Sequence, residues 1–411
     1  MEDSGGVRRI VSRWIVTGIC KLTTATLLGR KAGHEILDAV VLRDKLTGKP
    51  LLTGASLAGA MRSYLVDVRS GYRTRETGEV ADIFGSQQPA KNGFQSPLIV
   101  YDSVGEIPES QSLELRNGVA LDPARGVAEE HKKFEYEVMP PGTEFPLRFE
   151  LLVPDKKSEQ RLVSSLHVVL SGLENGEIRI GGRRTRGMGE CKVSKWRVRR
   201  FDLTTADGWK EWLGTDDKES TNNSIKYDSI YDALINACPS LELESRDARR
   251  RVMFELDLKI PHSVLIRFPG RNLDAPDALH LTSGGKSILS GTSLAGALRS
   301  RCLRIVNTIC QSLGNQSLVD QLFGSCPNGK RKGGTGLSSR LIVSESIIDG
   351  GTRLRPARIG IDRFTGGTMT GALFEEEPQF GGSATVRLEL RESKEGEVGL
   401  ILLALRDLVT G

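Results

Sequence analysis

The second half of this chain repeats the first half motif by motif, and no other feature limits its fold as strongly. Three segment pairs carry the repeat: LLTGASLAGAMRS at 51–63 with ILSGTSLAGALRS at 288–300, IFGS at 83–86 with LFGS at 322–325, and SPLIVYDS at 96–103 with SRLIVSES at 339–346. Their separations of 237, 239 and 243 residues are nearly constant, as a duplication with small changes in loop length requires. We therefore predict two copies of one structural module.

A fourth pair has few identities but the same internal spacing. It joins ALDPARGVAEEHKKFEYEV to GIDRFTGGTMTGALFEEEP. Asp122 precedes Phe134 by twelve positions, and Asp362 precedes Phe374 by twelve positions. This spacing extends the repeat into a segment that residue identity alone would not reveal.

The repeat divides the chain into three parts. The first module is placed at 1–203 and the second at 249–411. The polar stretch at 204–248, with a short helix at 229–237, is predicted to be a linker or an insertion. Apolar runs such as WIVTGICKL and FPLRFELLV favour strands, and the apolar residues of 57–68 fall on one helical face. This order of elements predicts the α+β class, with a ferredoxin-like module occurring twice.

The amino-acid composition limits which class of protein this chain can belong to. Hydrophobic residues at 38% and charged residues at 27% are typical of a globular chain and not of a disordered one. The sequence has no signal-peptide pattern and no apolar run of the roughly 18 residues that span a membrane, so we expect a cytoplasmic protein without a membrane partner. The six cysteines are scattered, which favours reduced thiols over zinc. The net charge of +5 favours an anionic partner.

The repeated turn and helix is a candidate phosphate site. Ser56 is predicted to be the helix N-cap, and Gly59 lets a backbone approach closely, with Arg62 one turn further on. A helix N-terminus offers free N–H groups and a positive dipole end, which favour a phosphate. In the second copy the equivalent residues are Ser293, Gly296 and Arg299. The alternative is that the two glycines only allow tight packing of the helix against the sheet.

Two basic clusters lie in glycine-rich segments. The segment GGRRTRGMGE at 181–190 contains Arg183, Arg184 and Arg186, and a second cluster lies at 330–332. Glycines free backbone N–H groups to bind anions, and the arginines add positive charge. Neither a Walker A loop nor a dinucleotide fingerprint fits the first segment. The alternative for each cluster is an ordinary solvated loop.

Aromatic residues are scarce, at 5% of the chain. Neither module has the aromatic-rich strand on which RNA-recognition motifs stack bases. The sequence therefore favours binding along an RNA backbone, independent of base sequence.

The ordered set of motifs resembles the RAMP superfamily of CRISPR proteins, and specifically the backbone subunits of type III effector complexes. The resemblance implies modified ferredoxin-like or RRM-like modules, each with a β-hairpin thumb, here within 122–138 and 362–378. It implies a guide RNA bound by the turn-helix and the glycine-rich loop. The implied partners are guide RNA, target RNA and other type III effector subunits.

The resemblance also implies an endoribonuclease that cuts target RNA with one aspartate per module and a divalent cation, Mg²⁺ or another. Asp38 stands at the family position. In the second module spacing favours Asp274, whereas the following residues favour Asp277, which matches DAVVL with DALHL. We take Asp38 and Asp277 as the catalytic and metal-binding candidates. Because a free aspartate, with a pKa of about 3.9, is a weak base at neutral pH, a metal-assisted role is favoured.

The sequence alone leaves two alternatives to this function. One is a structural guide-binding subunit without catalysis, and another is a metal-independent guide-processing nuclease that uses histidine or tyrosine. The chain departs from the family at Ala58 and Ala295, where a lysine is frequent. The repeat also predicts that the second module is incomplete at its C-terminus, with its glycine-rich loop supplied by further chain or by a neighbouring subunit.

Overall fold

The computed structural model of the chain describes residues 9–31, 37–86, 94–121, 127–215, 225–243, 246–270, 274–309, 315–325 and 336–410, and the structural statements below concern these residues. Parts of the sequence predictions lie outside them, namely the basic cluster at 330–332, the start of the first thumb segment at 122–126, and residues 216–224 and 244–245 of the predicted linker. Within the described ranges, no helix combines the length and apolarity needed to cross a membrane.

Groups of strands are separated by helices along the first half of the chain. Its elements are β1 (Ser12–Leu22), β2 (Gly29–Lys31), β3 (Ala39–Val41), β4 (Leu51–Leu52), α1 (Gly54–Ser70), α2 (Gly78–Phe84), β5 (Leu98–Val100), β6 (Ser103–Val104), β7 (Glu114–Leu121), β8 (Ala128–Val138), β9 (Glu144–Val153), α3 (Lys156–Glu174), β10 (Cys191–Asp202), α4 (Ala206–Leu213) and α5 (Ile230–Ala237). The helix predicted at 229–237 is therefore present as α5, and Ser229 is its N-cap.

Four strands of the first half form an antiparallel sheet in the order β10–β1–β9–β5. Along the chain they are the fourth, first, third and second strands of a β-α-β-β-α-β unit whose helices are α1 and α3, which is the ferredoxin-like arrangement. Successive side chains of β1 point to opposite faces of the sheet, so apolar residues of this strand contribute to a cluster on each face. Trp14 and Val16 lie in the main core with Phe149, whereas Ile15 packs with Phe201 in a smaller cluster.

The second half repeats this series of elements. They are β11 (Arg251–Lys259), β12 (Ser263–Val264), β13 (Arg267–Pro269), β14 (Ala278–His280), β15 (Thr282–Ser283), β16 (Lys286–Leu289), α6 (Gly291–Ile309), α7 (Asn315–Phe323), β17 (Leu341–Val343), β18 (Ser346–Ile347), β19 (Thr352–Arg353), β20 (Ala357–Ile361), β21 (Thr368–Glu377), β22 (Gln379–Phe380), β23 (Ser383–Arg391) and α8 (Glu397–Thr410).

The second sheet has the order β11–β23–β17, which corresponds to β1–β9–β5 of the first. Helices α6 and α8 pack on it around a separate core that includes Leu298, Val386 and Ile401. Among the described residues, no strand of this sheet corresponds to β10. The predicted α+β class with two tandem ferredoxin-like modules is confirmed.

Each module carries a β-hairpin where the sequence predicts a thumb. In the first, β7 pairs with β8, and Gly118 faces Phe134. In the second, β20 pairs with β21, and Arg358 faces Phe374. The predicted segments contain the second strand of each hairpin. The first strand of each lies upstream of the segments, which begin at 122 and 362.

The described residues of the segment 204–248 pack on the first module. Ile230, Ala233 and Leu234 of α5 are fully buried in the main core. The backbones of Trp196 and Tyr227 exchange two hydrogen bonds, of 2.8 and 2.9 Å. We propose that this segment is an insertion that belongs to the first module, because its apolar side chains complete that module's core.

The two modules contact each other at the base of the first hairpin. The backbone N–H of Gly284 donates to Glu114 Oε1 at 2.6 Å, and Arg116 Nη2 lies 3.5 Å from Glu345 Oε1. Burial raises the pKa of Glu345 to about 7, and the carboxylates of Glu114 and Glu190 add to the rise while Arg116 opposes it. The junction therefore holds a carboxyl group that titrates near neutral pH.

We expect the free energy of unfolding to fall as the pH rises from about 4.5, the ordinary pKa of a glutamate, to about 7. In this window the folded protein keeps a proton on Glu345 that the unfolded chain has released, so a rise in pH favours unfolding, by roughly 3 kcal/mol at most. Urea unfolding at pH 5 and pH 8 measures the effect. Glu345→Gln should lose this part of the pH dependence, whereas the exposed Glu255→Gln should keep it. An equal pH dependence in both variants would contradict the expectation.

Candidate nucleic-acid interface

Helix α1 begins three residues earlier than its sequence suggests. Its N-cap is Thr53, whose backbone is extended (φ −74°, ψ 138°) and whose Oγ1 accepts a hydrogen bond from the N–H of Ser56 at 3.3 Å. The prediction of Ser56 as the N-cap is wrong, because Gly54 is already helical and its N–H is bound by Asp102 Oδ1 at 2.7 Å. Ser56 therefore lies in the first turn, with its side chain exposed.

The second copy of the turn-helix has a similar start, with a side-chain oxygen bound by a backbone N–H of the first turn. Ser290 stands where Thr53 does, and its Oγ accepts from the N–H of Thr292 at 3.3 Å. Ser293, like Ser56, is an exposed residue of the first turn. Both serines are thus available to a ligand.

The glycines in the second turn of the two helices face open space. A Cβ placed at Gly59 or Gly296 would meet no atom within 4 Å. Close packing instead occurs at the helix start, where a Cβ on Gly54 would lie 2.0 Å from Val100 O and one on Gly291 would lie 2.4 Å from Val343 O. The packing alternative for Gly59 and Gly296 is therefore wrong, and both leave room for a ligand.

Arg62 and Arg299 are engaged within the protein. Arg62 Nη2 donates to Gly85 O at 2.8 Å and pairs with Glu76. Arg299 Nη1 donates to the equivalent carbonyl, Gly324 O, at 2.6 Å and pairs with Asp320. Each arginine thus ties its helix to the end of the next one, and the phosphate contact suggested for it stays a prediction.

The three arginines of the glycine-rich loop point to three different surroundings. Arg183 lies over the rings of Phe134 and Tyr136, at 4.5 and 4.6 Å from their centroids. Arg186 Nη2 reaches into the second module and donates to Phe323 O at 3.1 Å, and burial lowers its pKa. Arg184 is exposed. Sequence alone treats these side chains as one cluster, but the loop's 3-10 turn separates them.

The turn-helix and the glycine-rich loop of the first module line one cavity of about 390 Å³. From the helix side come Thr53, Ser56 and Gly59, and from the loop come Gly181, Gly182 and Arg184. Among the residues that line it, Arg184 carries the charge, and none is aromatic. A helix start and a guanidinium facing one space suit a phosphate.

The two candidate aspartates occupy equivalent places beside the hairpins. Asp38 Oδ2 accepts the backbone N–H of Glu135 at 2.8 Å, and Asp277 Oδ2 accepts that of Glu375 at 3.0 Å. Both side chains are exposed. Asp274 makes a different contact, since its backbone carbonyl accepts from Arg355 at 3.0 Å. The structural counterpart of Asp38 is therefore Asp277.

Each aspartate offers one carboxylate to a cation. Within the described residues, no group of three His, Cys, Asp or Glu side chains converges as a protein-only metal site would require. Mg²⁺ is frequently held by one or two carboxylates together with substrate phosphates and water. A single exposed aspartate therefore fits a cation site that bound RNA would complete.

A second cavity, of about 720 Å³, adjoins Asp277 and is lined by both modules. The first hairpin supplies residues 117–119 and Lys133, and the second module supplies Arg267 and Phe374. Sequence reasoning did not bring these residues together, because no motif marks a surface formed between two modules. Lys133 and Arg267 thus line the same cavity as the second aspartate, together with Glu376, which pairs with Arg267.

Comparison with known families follows the same division of the chain. A family model described as the RAMP superfamily matches residues 19–192 and 277–411, which together make up most of the chain. The first region contains one copy of each motif, and the second contains the repeated turn-helix and hairpin. A comparison with curated proteins finds no match.

Proposed function

The chain belongs to the RAMP superfamily, whose proteins bind CRISPR RNA and other CRISPR subunits, and we propose that it is a guide-RNA-binding backbone subunit of a type III effector complex. The observation that carries this proposal is the cavity shared by the turn-helix and the glycine-rich loop. Further partners in this proposal are target RNA and the other type III subunits.

The cavity favours contact with RNA phosphates over contact with bases. Arg184 provides positive charge, and the exposed Ser56 in the first turn of α1 provides a hydroxyl group. Phosphate contacts position an RNA without reading its sequence. A subunit that holds guides of many sequences needs this kind of binding.

The position of the glycine-rich loop between the modules supports one continuous RNA path. A Cβ on Gly187 would lie 2.3 Å from Glu345 N, and one on Gly291 would lie 2.6 Å from Arg186 O. The loop of the first module therefore touches the start of α6 as well as lining the cavity at α1. RNA leaving the first cavity would pass directly to Ser293 and Gly296.

We extend the proposal to cleavage of the bound target RNA at Asp38 and Asp277. The bond from the Glu135 N–H fixes the orientation of the Asp38 carboxylate, and the Glu375 N–H does the same for Asp277. So oriented, each carboxylate can hold a divalent cation or align a 2′-hydroxyl. A bound cation would offset the negative charge that develops on the phosphate.

One observation favours a second candidate, a structural subunit without catalysis. The bond between Asp38 and Glu135 also ties β8 to the segment before β3, so the carboxylate has a structural use of its own. The same holds at Asp277. Cleavage assays with asparagine variants, argued in the Discussion, separate the two functions.

Two of the histidines that a guide-processing nuclease could use make contacts inside the folded protein. His280 is buried, and its ring nitrogens contact Ile266 N and Ile288 O at 3.2 and 3.1 Å. His167 packs edge-on against Tyr231, and burial lowers its pKa. We therefore favour the aspartate-based function.

RNA binding tests the guide-binding proposal. We expect Arg184→Ala to weaken binding of unrelated single-stranded RNAs alike, and to reduce the slope of log K against log salt by about 0.7, because one phosphate contact is lost. Gly59→Leu should also weaken binding, since a Cβ at this position enters open space and the longer side chain would occupy part of the cavity. Fluorescence anisotropy across a salt series measures both.

The matched control is Arg161→Ala, which removes an exposed arginine on α3 that pairs with Asp82. Its affinity and salt slope should equal those of the unchanged protein. A loss confined to one RNA sequence, or an unchanged slope in Arg184→Ala, would count against the proposal.

A further inference from the structure

Arg183 has an uncommon backbone conformation and a well-defined contact. Its φ of 55° lies in the left-handed region, which residues other than glycine seldom adopt. The guanidinium lies 4.5 Å from the centroid of Phe134 and 4.6 Å from that of Tyr136, and the two rings are 6.0 Å apart with planes 21° from parallel. A cation over two ring faces is attracted by both.

The two rings flank the backbone amide that binds Asp38. Phe134 and Tyr136 are two positions apart on β8 and so lie on one face of the strand. Glu135, between them, donates its N–H to Asp38 Oδ2 at 2.8 Å. The Phe134 ring also packs on Gly118, where an added Cβ would lie 2.1 Å from the ring. The guanidinium and Gly118 together hold this part of the strand in place.

We infer that Arg183 is a positioning residue for Asp38, because its guanidinium clamps the two rings on either side of the amide that orients the Asp38 carboxylate. The inference rests on the proposed function. It assigns Arg183 this role in place of the direct contact with RNA that the sequence predicts. Among the loop arginines, Arg184 lines the cavity, whereas the guanidinium of Arg183 lies over the rings.

The second module orients its aspartate in a different way. Glu376 stands where Tyr136 does, and it pairs with Arg267 at 2.8 Å and Arg358 at 3.1 Å. In the described residues no arginine is stacked on Phe374 as Arg183 is on Phe134. The Asp277 centre therefore does not depend on Arg183 and provides an internal control.

Cleavage of a matched target by the reconstituted complex with Mg²⁺ tests the inference. The product that disappears in Asp38→Ala identifies the first centre. We expect Arg183→Ala to slow formation of that product by about ten- to a hundredfold, the range that a small misplacement can cost, while the Asp277 product and guide affinity are unchanged. Arg183→Lys, which keeps a cation, should restore part of the rate. Arg184→Ala should lower both products alike, through weaker RNA binding.

Hydrogen exchange of the Glu135 amide in the complete chain gives a readout that is independent of cleavage. Exchange should be faster in Arg183→Ala and unchanged in Arg161→Ala. If Asp38→Ala leaves every product intact while exchange still rises in Arg183→Ala, the cleavage proposal fails and the positioning contact stands. Unchanged exchange, or equal loss of both cleavage products in Arg183→Ala, overturns the inference.

Discussion

Asp38→Ala should remove one product from the cleavage of a guide-matched RNA, and Asp277→Ala should remove another. We expect each rate to fall at least about a hundredfold, because the charge that would hold a cation beside the phosphate is lost. The affinity for guide RNA should not change, since neither residue lines the cavity between the turn-helix and the glycine-rich loop. Gel analysis of end-labelled target in a reconstituted complex with Mg²⁺ measures both effects.

Asparagine variants separate catalysis from a structural role. An asparagine side-chain oxygen can still accept the N–H of Glu135 or Glu375, but it carries no charge. If the aspartates are catalytic, Asp38→Asn and Asp277→Asn should be as inactive as the alanine variants. Activity restored by asparagine would show that the hydrogen bond alone is needed.

Two controls complete the cleavage experiment. Asp274→Ala changes an exposed aspartate three residues before Asp277 and should leave every product in place. Removal of divalent cations with EDTA should abolish both products while guide binding persists. A full set of products from both aspartate variants would favour the structural-subunit function.

The internal repeat made much of the fold predictable from sequence. Because equivalent segments adopt equivalent structures, one set of strands and helices described both modules. The repeat also limited the second aspartate to two candidates, and the hydrogen bond to Glu375 identifies Asp277 as the counterpart of Asp38. Spacing alone favoured Asp274, because it takes no account of the shorter hairpin before α6.

Contacts between distant residues could not be predicted in the same way. Arg62 looked free for RNA because its partner Glu76 is fourteen positions away and no local pattern links them. The N-cap was misplaced because Thr53 and Ser56 are both good capping residues, and only the end of the preceding strand decides between them. The different surroundings of Arg183, Arg184 and Arg186 arise from the second module and the hairpin, which a motif does not show.

Arg340→Leu should destabilise the second module by about 3–5 kcal/mol, because it leaves a buried carboxylate without its partner. The side chains of Arg340 and Glu397 are 4% and 6% exposed, and they form a two-pronged ion pair between the start of β17 and the first turn of α8. Arg340 also donates to Gln321 O and Glu392 O, at 3.2 and 2.6 Å. In the first module Pro97 stands at the equivalent position, so the pair is specific to the second module.

Urea unfolding followed by hydrogen exchange in each module measures the effect of Arg340→Leu. The second module should unfold at lower urea, whereas amides of β1 and β9 should keep their protection. Arg387→Leu is the matched control, since its pair with Glu255 is exposed and should contribute only about 0–1 kcal/mol. The double variant Arg340→Leu with Glu397→Leu should recover part of the loss, because no unpaired charge remains buried. Equal destabilisation by Arg340→Leu and Arg387→Leu would contradict the importance of the buried pair.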